Sequence, residues 1–106
     1  MTRGCAVPQG KYVMFPIATS LVKRRAAACV NIVPRIESAF WWKARVERCR
    51  ETLLIVKTTA GGFERLRRAV IELHPYEVPE VIAWPLAVGH APYLRWVVSA
   101  VSRKNG

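Results

Sequence analysis

The chain contains no aspartate. Its seven acidic residues are all glutamate, set against 17 lysines and arginines, which leaves a net charge of +10. That imbalance excludes an acidic surface and favours anionic partners in a salt-dependent way. Cysteine is also scarce. Cys5, Cys29 and Cys49 form no CxxC pair, so the pattern argues against a disulfide scaffold and for a reducing compartment. No apolar run reaches the ~20 residues of a membrane span, and the first residues lack the apolar stretch of a secretory signal. Both absences point to the cytoplasm and away from membrane insertion. GxSxG, Walker and dinucleotide-binding fingerprints are missing too, and no organic cofactor is implied. Glu47, Glu51, Glu77 and Glu80 stand at no spacing that would fix an acid–base pair.

What is present is apolar. Of 106 residues, 52% are hydrophobic, which is enough for one domain with one core over residues 1–106. Trp41, Trp42, Trp84 and Trp96 add large buriable surfaces. Residues 1–11 show no period, residues 12–102 form the core region, and 103–106 read as a fraying tail.

Tyr12 to Phe15 reads as a short strand. Pro16 suits the first turn of a helix, and Ile17, Leu21 and Val22 mark that helix's apolar face up to Cys29. Cys29 to Val33 reads as a strand ending at Pro34. Ile36 to Trp42 reads as the next, with Ile36, Ser38, Phe40 and Trp42 on one face and Glu37, Ala39 and Trp41 on the other. Lys43 and Ala44 turn the chain into the basic run Arg45 to Arg50. Leu53 to Val56 suits a strand covered on both faces. After Gly61 and Gly62, the spacing of Phe63, Leu66, Val70 and Leu73 predicts a helix that Pro75 ends. Val78 to Leu86 reads as the last strand, and Pro92 opens a terminal helix. This order predicts an α+β ferredoxin-like split βαβ sandwich: two helices on one face of a four-stranded sheet, plus a C-terminal helix. Apolar residues on the open face call for a covering subunit.

Four segments resemble the CutA family of divalent-cation tolerance proteins. They are Ala26 to Pro34, Ser38 to Lys43, Leu53 to Thr58 and, most specifically, the run Leu73-His74-Pro75-Tyr76-Glu77-Val78-Pro79-Glu80-Val81-Ile82-Ala83. Gly89, Tyr93, Leu94 and Trp96 extend the likeness into the last helix. The resemblance implies a non-enzymatic homotrimer that associates with divalent cations, notably copper. It implies a metal set of His74, Glu77 and Cys5. The sequence departs from the family at Ala44, where glycine is usual, and at Arg48 and Cys49, where an acidic pair is usual.

The residues leave alternatives open. Imidazole is a good ligand for copper or zinc, so His74 serves either as a ligand or as a partner of the preceding helix's C-terminus. Trp42, Tyr76, Glu80 and Lys57 are candidates for a cleft at a subunit boundary that could take an anionic ligand. Cys29 reads as a buried inert thiol. Cys49, between Arg48 and Arg50, reads as a candidate thiolate. His90 has no obvious partner. The competing function is a structural or signalling trimer that presents such a cleft to a small ligand or protein, with incidental metal binding. Leu53 to Val56 carries no aromatic and the RNA-recognition signature is absent, so nucleic acid is not the expected partner.

Overall fold

The computed structural model describes residues 11–73 and 80–102, with side chains from residue 15 onward. The order is helix α1 (Lys11–Lys23), strands β1 (Cys29–Trp42) and β2 (Arg45–Lys57), helix α2 (Phe63–Leu73) and helix α3 (Ala91–Ala100). It is an α+β fold, with the sheet flanked by helices in the ferredoxin-like manner.

Tyr12 to Phe15 is helical, not a strand. Val13, Ile17 and Leu21 stand four apart, so the apolar run continues the helical period. Pro16 lies inside α1 rather than opening it, where it removes one backbone donor near the helix start. The helix ends at Lys23, earlier than Ala28. Ala26 N–H donates to Leu21 O (3.0 Å), and Arg25 takes a left-handed φ of 62°. This is the reversed-carbonyl closure that glycine normally serves. Arg25 also extends its guanidinium to Ala100 O (2.9 Å), while Arg65 donates to Arg25 O (3.0 Å). One residue thereby links the ends of α1 and α3 to α2, and places positive charge at α3's C-terminus where the helix dipole favours it.

The two strands expected on either side of Pro34 are one strand. Antiparallel register runs from Cys29 opposite Lys57 to Trp42 opposite Arg45, with a bulge between Val33 and Ile36. Pro34 cannot donate to the ladder, and a bulge is where a strand tolerates it. Arg35 adopts φ 62° there. Lys43 and Ala44 close the hairpin with φ of 51° and 65°, the double left-handed geometry of a two-residue turn.

Among the described residues the sheet has two strands, not four. Residues 80–90, expected to include the last strand, carry no regular secondary structure; Val78 and Pro79 lie outside the described residues. With Tyr12 to Phe15 taken up in α1, the described chain offers that segment no neighbouring strand.

Val30, Leu54 and Val56 pack on a core of Ile17, Leu21, Ala26, Ala27, Leu66 and Ala69. Leu21 is fully buried. A smaller cluster of Ala28, Val97 and Val101 holds α3. The turn into α2 is set by Thr59, whose Oγ1 accepts from Gly62 N–H (3.1 Å). A Cβ on Gly62 would stand 2.9 Å from Thr58 Oγ1, so any side chain there would have to push Thr58 aside.

Candidate functional site

The hairpin decides which candidate residues can meet. Side chains alternate between its faces, and one face near the base packs on the helices. The opposite face there holds Cys29, Asn31, Val33, Leu53, Ile55 and Lys57, and Val33, Leu53 and Ile55 are exposed. Leu53 to Val56 is therefore covered on one face rather than two.

Beyond the bulge the coverage changes sides. Ile36, Ser38, Phe40 and Trp42 are half-buried on the face that is open at the base. Glu37, Ala39 and Trp41 are exposed on the other. The alternation expected for the two adjacent tryptophans holds: Trp42 is half-buried, and Trp41 is 72% exposed opposite exposed Val46.

Trp42 sits at the hairpin tip, with the Lys43 ammonium 5.5 Å from its ring centre. Lys57 sits at the base, donating to Asn31 Oδ1. The thirteen residues of β2 separate them, about 40 Å at the usual strand rise. Trp42 and Lys57 of one chain therefore cannot line one cleft. Glu80 is half-buried. His74, Tyr76 and Glu77, like Cys5, lie outside the described residues. Among the described residues no three His, Cys, Asp or Glu side chains come together as a metal-binding group.

The cysteines differ from expectation. Cys29 is free and only half-buried, with Sγ 3.9 Å from Asn31 Oδ1. Cys49 is buried and disulfide-bonded, which removes it as the thiolate its arginine neighbours suggested. His90 is exposed ahead of α3.

Two features were not foreseen. Glu51 is 2% exposed and its Oε1 has no hydrogen-bond partner among the described residues. It sits beside the bulge, opposite Ile36; alternation from exposed Leu53 gave no hint of burial. Asn31 joins Cys29 and Lys57, and the signal for it was the lone polar residue in Cys29 to Val33. Glu64 on α2 has its carboxyl held at about 2, chiefly through its hydrogen bond from Arg67. It belongs to an exposed helical ion pair with Arg67 and Arg68, and a perturbed carboxylate of this kind is structural.

The family model of the CutA1 divalent ion tolerance protein matches residues 9–100. The divalent-cation tolerance protein CutA of Thermus thermophilus is 49% identical over 81 residues, 76% of this chain and 79% of that one. The solved Thermus structure overlays with a TM-score of 0.82 at 45% identity, covering 86% of this chain and 88% of the other. A CutA homologue of Xenopus laevis is 47% identical over 76% of this chain, which spans only 54% of that protein.

Proposed function

Because the chain belongs to the CutA1 divalent ion tolerance family, whose members are non-catalytic metal-tolerance proteins, we infer that it works as a homotrimer that binds divalent metal, copper above all, in the cytoplasm. The observation that carries this reading is the family match across residues 9–100, which contains the run from Leu73 to Ala83. His74 and Glu77 stand three apart in that run, and Pro75 restricts the backbone between them. An imidazole and a carboxylate, with a thiolate from Cys5 in reduced protein, form a donor set that suits Cu²⁺ or Zn²⁺.

Self-assembly has its own support. Ile82, Trp84, Leu86 and Val88 are all exposed, Trp84 by 81%, as are Trp41 and Val46. So much exposed apolar surface marks an interaction site in a soluble domain. The two ends of the hairpin expose opposite faces, which suits a head-to-tail contact that closes into a ring.

The test is calorimetry on reduced protein titrated with Cu²⁺. A stoichiometric signal is expected, and His74→Ala should weaken it at least tenfold, as loss of a principal ligand does. An unchanged isotherm in the variant would remove His74 from the ligand set.

A second reading is favoured by the separation of Trp42 and Lys57, about 40 Å at the usual strand rise. If both line one cleft, Lys57 comes from one subunit and Trp42 from its neighbour. Such a cleft, with a lysine and an aromatic wall, suits a small anionic ligand or a protein segment, and metal binding would then be incidental.

A further inference from the structure

We propose that Asn31 is the polar key that fixes how a second copy of this chain seats on the open face of the hairpin base; the proposal rests on the self-assembly reading above. Asn31 is exposed, and the ladder sets it opposite Ile55 and next to the Val33–Leu53 pair. All three of those apolar side chains are exposed as well. An exposed apolar sheet face of this kind is completed by another apolar surface.

The occupant is a second copy because of where the charge lies. In a chain of net charge +10, like copies repel almost everywhere. Among the described hairpin residues on the open face of the base, Lys57 is the one charged side chain, and its ammonium is bonded to Asn31 Oδ1. This is where two copies approach at least electrostatic cost. The chain also carries matching apolar surface of its own, in Trp41 with Val46 and in the exposed series from Ile82 to Val88.

Asn31 decides the seating through its fixed amide. Its Oδ1 accepts from Lys57 Nζ and lies 3.9 Å from Cys29 Sγ. With the oxygen so oriented, the amide N–H groups are left with no hydrogen-bond partner among the described residues. Covering the face buries those donors, and a buried unpaired donor is unfavourable. Only arrangements that bring an acceptor to Asn31 Nδ2 survive. Purely apolar contacts between Val33, Leu53 and Ile55 would allow several offsets. A single polar residue in an apolar seam selects register and copy number in coiled coils by the same logic, at some cost in stability.

The experiment is native mass spectrometry and light scattering on wild type, Asn31→Val and Lys57→Met, with circular dichroism to confirm folding. Wild type is expected as one oligomeric mass. Asn31→Val should spread into at least two masses. Lys57→Met leaves the amide in place but free to turn, and should also lose the single mass. It carries the test if Asn31→Val does not fold. One unchanged mass in the folded variants overturns the key role and leaves self-assembly standing. A monomeric wild type overturns self-assembly and the key together.

Discussion

The two halves of the hairpin are one ladder with opposite surroundings. At the base, Val30, Leu54 and Val56 lie on the helical core, and Val33, Leu53 and Ile55 are open. Beyond the bulge, Phe40 and Trp42 are half-buried, and Trp41 and Val46 are open on the reverse. The halves differ in composition, since β2 is the charged run Arg45 to Glu51 beyond the bulge and the apolar run Leu53 to Val56 at the base, yet both are strand. They differ in cover as well. The base is held by α1 and α2 on one face, whereas beyond the bulge the covered face is the opposite one, with Cys49 and Glu51 buried on it. Strand formation and strand support are separate matters in this chain, and the bulge at Pro34 and Arg35 is where the two part.

The largest test of that difference strikes the cover of the base. Leu21 is fully buried among Ala26, Ala27 and Leu66. Leu21→Ala should cost about 2–5 kcal/mol in chemical denaturation, through lost burial and a cavity. Phe40→Ala, in the half-buried part of the far half, should cost distinctly less. Equal losses would mean that both halves are supported alike, and the comparison would fail.

A smaller effect, of opposite sign, sharpens the picture of the tip. Lys43 and Ala44 both hold left-handed backbone, at φ 51° and 65°. A residue with a Cβ is disfavoured there by roughly 1–2 kcal/mol, and glycine is not. Ala44→Gly should therefore stabilise the protein by about 1 kcal/mol, read as a higher denaturation midpoint with unchanged slope. Because Lys43 and Ala44 are exposed, the gain should appear without any change at Leu21 or α2. A loss on substitution would show that Ala44 makes contacts that outweigh its strain.

The sequence was most legible where one period and one environment coincide. Phe63, Leu66, Val70 and Leu73 mark α2, and Leu66 is buried as that stripe requires. The faces of Ile36 to Trp42 alternate as read. Tyr12 to Phe15 was misread because four apolar residues before a proline fit a short strand as well as a helix turn. Val78 to Leu86 alternates like a strand, yet a strand needs a neighbour, and residues 80–86 have none among the described residues. Left-handed backbone at Arg25, Arg35 and Lys43 was invisible, since none is glycine or asparagine, whereas at Ala44 the family's usual glycine was its one signal. The metal set was legible only through family likeness. His74 and Glu77 are neighbours in sequence, but no spacing brings Cys5 to them. Trp42 and Lys57 were grouped by chemistry, and only the ladder shows that one chain keeps them apart.

The smallest effect concerns acid and the cover of the base. Glu64 on α2 accepts from Arg67 Nε at 3.0 Å, with Arg68 at 3.3 Å. The Arg67 hydrogen bond, and then the charges of Arg67 and Arg68, hold its carboxyl at about 2 against an ordinary 4.5. A carboxyl depressed on folding stabilises above its unfolded value and loses that contribution as pH falls through the folded one. The window is thus roughly pH 4.5 down to 2. The pair is exposed, so solvent and salt screen it and its effect on global stability is slight. The direct measurement is the carboxyl chemical shift of Glu64 across that window. Arg67→Ala should move the midpoint up toward 4.5, and a midpoint that stays near 2 would assign the shift to Arg68 instead. Either way, the titration belongs to the helical cover of the base. The far half of the hairpin should pass through the same pH range with its ladder unchanged by this group.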